Sequence, residues 1–354
     1  MKKINILNLT TSFVIGGAEK VLLDLILCLD KERFNPSIIA LSEHADMLEE
    51  YKSQGVKAQK LDMKKNPRDF IRVYQFLNRY IIENKIDVLH AHLTHTLPHL
   101  VLLKLRHPKL KVVFTSHNTN VGGKHRELMI WLSKPFRNAD IVFSKDMINK
   151  LYKKNTEVII NGVNIDKFKK KAVKNTPFTF LNIGSIREKK NQIFLIECAK
   201  YLKSKGYKFV IDIVGGGVEN QPLIDKISKA IEKEKLGNYV RMLGLRSDIP
   251  NLLKTAHCMV LPSYHEGLPI VLLEAGAAKL PIISTPVGAI PDLIDSTNGY
   301  LSTLGDFCKT MELVYNNYSE AEEKARKLSQ KIDQQYSIRS MTESHQKLYT
   351  TLLK

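Results

Sequence analysis

Along the first 165 residues, short β-branched apolar runs alternate with longer stretches whose apolar residues recur every three or four positions. Short runs of that kind read as strands and a period near 3.6 as amphipathic helix. Their alternation is the pattern of βαβ units wound about a parallel sheet. Strands are predicted at residues 4–9, 36–41, 87–90, 111–115, 141–144 and 157–160. Between them, residues 18–29 put Val21, Leu22, Leu25, Ile26 and Leu29 on one helical stripe, and residues 70–83 repeat the pattern. The scheme then restarts, with strands at 178–183, 209–214, 259–262 and 281–284, each followed by a helical run. Between the halves, residues 166–175 hold Lys167, Lys169, Lys170, Lys171 and Lys174 and little apolar content, which reads as a linker. From residue 321 to 354 the pattern is helical and charged, with no strand to pair.

A chain of 354 residues exceeds what one hydrophobic core usually serves, so two α/β domains are expected, over residues 1–165 and from 176 onward. Two parallel sheets facing each other across a cleft would bring together the loops at their carboxyl ends, where such sheets bind ligands. The informative residues should therefore follow strands.

Composition narrows the setting. The four cysteines, Cys28, Cys198, Cys258 and Cys308, are far apart and form no C-x-x-C pair, as suits reduced thiols in a cytosol. Asn5 and Asn8 interrupt the first apolar run and no small-residue cleavage site follows, so a strand is expected there rather than a signal peptide. No run of about eighteen apolar residues predicts a transmembrane helix. The formal charge of +18 favours anionic partners such as phosphorylated small molecules or an anionic membrane face, or else simply a Lys-rich composition. No nucleic-acid recognition motif accompanies it.

Five groups of residues carry candidate chemistry. Gly16-Gly17 opens a helix after the first strand, as turn chemistry or as a close approach to a phosphate at free backbone amides. The dinucleotide fingerprint G-x-G-x-x-G and the P-loop G-x-x-x-x-G-K-[ST] are both absent. His90 and His92, with His95 and His99 nearby, close a strand; with no local acid or cysteine they suit a cleft wall or a satisfied turn better than a metal site. His117 stands in Thr115-Ser116-His117-Asn118 at the end of another strand. Arg187, Lys189 and Lys190 follow the second domain's first strand, as a diphosphate clamp or as a solvated turn. Finally, Glu266-Gly267-Leu268-Pro269 leads into a helix near Pro269 that is apolar to Ala278 apart from Glu274. Such a helix should be buried, and a buried carboxylate needs donors, which sugar hydroxyls supply.

Glu266 and Glu274, with seven residues between them, resemble the E-x₇-E motif of retaining glycosyltransferases with the GT-B fold, specifically glycosyltransferase family 4. The resemblance continues in order through Gly16-Gly17-Ala18-Glu19, His117, Ile160-Asn161-Gly162-Val163-Asn164, Gly184 to Asn191, Val214-Gly215-Gly216-Gly217, Leu243-Gly244, Pro281-Ile282-Ile283 and Gly288-Ala289-Ile290-Pro291-Asp292. It spans roughly residues 4 to 300. It implies two Rossmann-like domains, an acceptor-side one over 1–165 and a nucleotide-sugar domain over 176–335, with a final helix at 336–354 crossing back to the first. It also implies roles: Gly16 and Gly17 near the donor, His117 on the transferred sugar, Arg187 and Lys190 on the diphosphate, Glu266 on sugar hydroxyls beside Gly267, Leu268 and Pro269, and Glu274 on the ribose. Three positions depart from the family pattern: Ser185 replaces an Arg, with Arg187 two residues on; Lys279 replaces a Gly; and Asp292 replaces a Glu.

The expected activity is transfer of a hexosyl or N-acetylhexosaminyl unit from a nucleotide sugar, UDP favoured, to a glycan or lipid-linked acceptor in surface polysaccharide or glycolipid synthesis. No metal or cofactor is expected, because D-x-D is absent and cations are at hand. A non-catalytic GT-B subunit and a GT-B nucleotide-sugar epimerase are the rivals. The location expected is the cytoplasm, with peripheral attachment to the inner face of the plasma membrane as an option. That option rests on residues 100–154, where twelve Lys and Arg face three acids, and on a helix at 124–137, kinked or ended by Pro135, with Leu128, Trp131, Leu132 and Phe136 on one stripe. Arg126, Lys134 and Arg137 are its expected lipid-facing cations, and packing of the stripe on its own sheet is the alternative.

Overall fold

A computed structural model describes residues 2–117, 123–169, 172–216 and 220–354. Asn118, Lys170, Lys171 and Gly217, named above, lie outside the described residues. The chain divides into two compact units, Met1–Gly162 with Ile338–Lys354, and Val163–Ser337.

In the first unit the described strands are β1 (Ile4–Thr10), β2 (Phe34–Ala40), β3 (Lys57–Lys60), β4 (Val88–His92), β5 (Lys111–Thr115), β6 (Ala139–Val142) and β7 (Glu157–Val158). They form one parallel sheet in the order β3-β2-β1-β4-β5-β6-β7. Its helices are α1 (Gly17–Cys28), α2 (Leu48–Ser53), α3 (Pro67–Glu83), α4 (Leu97–Arg106) and α5 (Lys124–Ser133). In α3 the local signals are complete: Asn66 accepts from the Asp69 amide, Pro67 fills the first turn, and Val73, Leu77 and Ile81 are buried at i, i+4 and i+8.

The second unit holds β8 (Phe178–Ile183), β9 (Phe209–Val214), β10 (Val240–Gly244), β11 (Cys258–Leu261), β12 (Ile282–Ser284) and β13 (Tyr300–Leu301), in the order β10-β9-β8-β11-β12-β13, again parallel. Its helices are α6 (Phe194–Ser204), α7 (Gln221–Lys233), α8 (Ile249–Thr255), α9 (Ile270–Ala277), α10 (Ile290–Leu293), α11 (Leu304–Asn316) and α12 (Tyr318–Gln335). The last helix, α13 (Ile338–Leu352), belongs to the first unit and packs on α1.

Both sheets reverse direction of growth beside their first strand, between β1 and β4 and between β8 and β11. At such a switch point the flanking loops run opposite ways and leave a crevice at the carboxyl ends. Alternation along the strands sorts the first sheet's faces. Leu7, Leu9, Leu89, Ala91, Val112 and Phe114 join one apolar cluster with Val73, Leu77 and Leu100 of α3 and α4. Asn8, His90 and His92 fall on the other side.

Three strands escaped the sequence pattern. β3, β10 and β13 lie at sheet edges or next to one, and β3 reads Lys-Ala-Gln-Lys, with no apolar run to betray it. Residues 163–169 and 172–175 group with the second unit: Phe168 is buried and Lys174 Nζ donates to the Ala256 carbonyl at 2.6 Å.

Candidate functional site

In the second unit the chemistry gathers where β8 and β11 end. Glu188–Lys190 forms a tight turn after β8, closed by Asn191 at a φ of 54°, a left-handed conformation asparagine tolerates. Asn191 Nδ2 donates to the Pro262 carbonyl at 3.1 Å, and the amide of Tyr264 donates to the Lys189 carbonyl at 2.8 Å. The two loops are thereby fixed to each other. Lys190 Nζ sits 2.7 Å from both carboxylate oxygens of Glu266, and Ser263 Oγ donates to Oε1 at 2.7 Å. The Glu266 side chain is 5% exposed and that of Lys190 16%. At this burial a lone carboxylate would be costly, and the ammonium and hydroxyl together satisfy it. The lysine keeps hydrogen-bonding capacity, because an ammonium carries three donors.

The Glu266 loop is also held from behind. Gly288, at a φ of 59°, lies so close that a Cβ there would stand 2.2 Å from the Glu266 carbonyl oxygen and 2.8 Å from that of Gly267. Ala289 then donates its amide to the Gly267 carbonyl at 3.1 Å. Gly215 serves the neighbouring strand end in the same way, since a Cβ would meet the Gly184 carbonyl at 1.9 Å. Only glycine permits either approach.

Gly267, Leu268 and Pro269 are half-buried, and Pro269 caps α9, whose interior face buries Leu272, Leu273, Ala275, Gly276 and Ala277. Glu274 departs from expectation: it is half-buried rather than buried, because it lies off that packed face. Arg187 is exposed at the start of the tight turn, where its carbonyl accepts the Lys190 amide at 2.9 Å.

In the first unit, Gly16 is the N-cap of α1 in extended conformation. The helix start already has a carboxyl group beside it. The Glu19 carboxylate folds back so that a Cβ on Gly16 would lie 2.5 Å from Oε2, and burial raises the Glu19 pKa above its usual value. Gly17 is exposed in the first turn.

Histidines meet beside the β1–β4 switch point. His90 lies 2.7 Å from both Tyr349 Oη of α13 and Thr115 Oγ1. His92 Nε2 is 3.3 Å from Asn8 Oδ1, and His92 Nδ1 is 3.0 Å from His117 Nε2. Burial, reinforced by the neighbouring imidazoles, holds His90 and His92 well below the usual imidazole pKa. Burial and then His345 push His117 down to about 4, and burial brings His345 itself to about 4. The cluster is therefore uncharged near neutrality. Thus His90 and His92 are hydrogen-bonded core residues, His99 lies against Phe70 with the rings tilted, and His95 is exposed. Among the described residues no three His, Cys, Asp or Glu side chains converge as a metal site.

Sequence reasoning missed Ser263, Asn8 and the packing role of Gly288. Asn8 had registered only as an interruption of an apolar strand, and a polar residue inside a core strand was the available signal.

The α5 region corrects the expectations for Phe136 and Arg137. Its helix ends at Ser133, and Pro135, which has no amide hydrogen, sits in a following 3₁₀ turn, Lys134–Phe136. Ile130 and Ser133 face the core, whereas Leu128, Trp131 and Leu132 are 53%, 55% and 54% exposed, so this part of the stripe does not pack on the sheet. Phe136 does pack against the apolar cluster. Arg137 is buried instead of lipid-facing. It pairs with Asp140 at 3.2 Å and donates to the Ile130 and Leu151 carbonyls, which ties the end of α5 to the sheet.

Comparison with known proteins follows the same two-unit division. The model of Glycosyltransferase Family 4 matches residues 15–167, and that of Glycosyl transferases group 1 matches residues 163–335. An Escherichia coli UDP-Gal:alpha-D-GlcNAc-diphosphoundecaprenol alpha-1,3-galactosyltransferase is 26% identical over 340 residues, covering 86% of this chain and 85% of that one. The Staphylococcus aureus capsular polysaccharide biosynthesis glycosyltransferase CapH is 25% identical over 287 residues, 77% of this chain and 78% of its own. In fold, the chain superposes on Anabaena HepE, crystallised with UDP and glucose, with a TM-score of 0.83 at 16% identity, over 98% of this chain and 100% of the other. With two family models laid end to end over residues 15–335 and two parallel-sheet units of the GT-B type beneath them, this chain belongs to the family 4 glycosyltransferases.

Proposed function

We propose that the chain is a retaining glycosyltransferase that moves a hexosyl or N-acetylhexosaminyl unit from a UDP-sugar to a glycan or lipid-linked acceptor during surface polysaccharide or glycolipid synthesis. The observation that carries the reading is the Lys190–Glu266–Ser263 cluster, held between two strand-end loops in front of α9. In this reading Lys190, joined by Arg187, stabilises the departing diphosphate, the charge that grows most in the transition state. Glu266 orients sugar hydroxyls beside the Gly267–Pro269 backbone, and Glu274 takes the ribose. His117 is the further residue proposed to contact the sugar. The pathway and the UDP preference rest on what the galactosyltransferase relative and the HepE complex are named for.

The sequence offers no D-x-D pair for a metal-bridged diphosphate and does offer cations, so transfer is proposed to be metal-independent. Turnover of UDP-glucose, UDP-galactose and UDP-N-acetylglucosamine, each with and without excess EDTA, tests both parts. Release of UDP in EDTA with the α-anomeric bond kept is expected. Inversion overturns the retaining assignment, and activity that returns only with Mn²⁺ or Mg²⁺ overturns metal independence.

The enzyme is further proposed to work in the cytoplasm, docked peripherally on an anionic membrane face through α5. The exposed Leu128, Trp131 and Leu132 beside Lys124 and Arg126 supply the apolar and basic elements of an interfacial helix. Among the described residues no helix is long and apolar enough to cross a membrane.

A further inference from the structure

Proton positions in the first unit's polar core follow from which atoms face each other. The Ser37 carbonyl can only accept, and Asn8 Nδ2 lies 3.2 Å from it. Asn8 must therefore turn its amide oxygen toward His92 Nε2, 3.3 Å away. An amide oxygen also only accepts, so the His92 proton is on Nε2. A neutral imidazole carries one proton, which leaves His92 Nδ1 bare. His117 Nε2, 3.0 Å from that bare nitrogen, must then be the donor, and His117 Nδ1 is bare in turn. His117 Nδ1 is shielded from solvent and has no hydrogen-bond partner among the described residues. His90 takes no part in this chain of bonds. It is engaged by Tyr349 and Thr115 and lies against His92 with ring centroids 4.1 Å apart.

We propose that Asn8 and His92 are positioning residues that lock His117 in its Nε2–H tautomer, so that Nδ1 presents a lone pair to a hydroxyl of the bound sugar. Burial keeps both rings neutral, which removes the doubly protonated form that would break the sequence of donors and acceptors. The partner selected is a hydrogen-bond donor: a bare imidazole nitrogen accepts from a hydroxyl and repels a phosphate oxygen or a carbonyl. A buried acceptor left unpaired is unfavourable, so the site favours a ligand that supplies the missing proton. The hydroxyl clause rests on the glycosyltransferase reading; the tautomer assignment does not.

The test is nitrogen NMR of the full chain labelled with ¹⁵N-histidine, read through long-range proton–nitrogen couplings that report which ring nitrogen is protonated. Without ligand, His92 and His117 are both expected as Nε2–H forms. Asn8→Leu removes the oxygen that sets the order, so the Nδ1–H form of His117 should appear, and turnover should fall at least about fivefold, the size of one neutral hydrogen bond. At saturation, a UDP-sugar should shift His117 Nδ1 toward the hydrogen-bonded value, whereas UDP alone should not; UDP-glucose, UDP-galactose and UDP-N-acetylglucosamine are the probes. A wild-type His117 protonated on Nδ1, or an unchanged tautomer in Asn8→Leu, overturns the positioning role. If Asn8→Leu does not fold, the wild-type spectrum alone decides. An Nδ1 resonance unmoved by any of the three sugars overturns the hydroxyl clause. Assigned tautomers without any sugar transfer would instead count against the glycosyltransferase reading.

Discussion

Replacing Glu266 by Gln should separate binding from chemistry, because in the free protein this carboxylate neutralises Lys190. The two are 2.7 Å apart, and the 5% exposure of the glutamate side chain means the charge is only partly screened. If Lys190 grips the diphosphate, a phosphate oxygen about 3 Å beyond the ammonium lies roughly 6 Å from the Glu266 carboxylate. The repulsion between two unit charges at that distance is ~2.8 kcal/mol at an effective dielectric of 20 and ~0.7 kcal/mol in water. Glu266→Gln removes it, so UDP should bind between about threefold and a hundredfold more tightly. The substitution also replaces the charged, two-oxygen acceptor for sugar hydroxyls by a neutral amide with one accepting oxygen, and turnover should fall at least about a hundredfold. Lys190→Ala should lose turnover to a similar degree, but with weaker UDP binding. Titration calorimetry of UDP at low and at physiological salt, beside initial rates of sugar transfer, measures all four quantities. UDP binding that weakens in Glu266→Gln, or near-wild-type turnover in both variants, refutes the reasoning. The Gln side chain leaves the Lys190 ammonium without its counter-charge, so a stability loss of about 1–3 kcal/mol is expected as well. A thermal melt separates that loss from the catalytic one.

Gly288→Ala should cost about 1–2 kcal/mol for its left-handed backbone and, by pushing on the Glu266 and Gly267 carbonyls, should lower turnover beyond what stability explains. Gly206→Ala, at a φ of 77° with nothing within 4 Å, is the control that should keep turnover; equal effects in both would remove the packing argument. The buried histidines make stability pH-dependent. His345 takes up a proton near pH 4 in the folded state but near 6.5 when unfolded, so its contribution is complete above pH 6.5 and is lost as pH falls toward 4, by about 1.4 kcal/mol per pH unit. Urea unfolding at pH 7.5 and 5.5 should show the loss, and His345→Gln should reduce the difference by about that amount; an unchanged difference would contradict it. Trp131 is the chain's one tryptophan, so a blue shift of its emission with anionic but not neutral vesicles should report docking through α5. Charge reversal at Lys124 and Arg126 should abolish the shift, Arg137 being buried in its ion pair; identical spectra with both lipids would remove the membrane proposal.

The division into two parallel α/β units was legible in the chain, because central strands buried on both faces are mostly apolar and helices between them are amphipathic. The ordered motifs from Gly16 to Asp292 also placed the candidate residues at strand ends. That needed only the chain order, since every loop after a parallel strand opens at the same edge. Edge strands were not legible, because β3 is paired on one side only and has no need of an apolar run. Nor was the grouping of α13 with the first unit readable from charge and periodicity. It depends on Tyr349 meeting His90 across 259 positions of sequence. Periodicity located the stripe on α5 but not its direction, because a stripe of Leu and Trp satisfies a core and a surface equally well. The buried Arg137–Asp140 pair, with Ile130 and Ser133 turned inward, decided that only Phe136 of the stripe packs. For the same reason the sequence could present Lys190 as a free cation and His117 as a lone histidine. Their partners Glu266, 76 positions away, and His92, 25 positions away, are neighbours only because parallel strands bring distant loops to one edge.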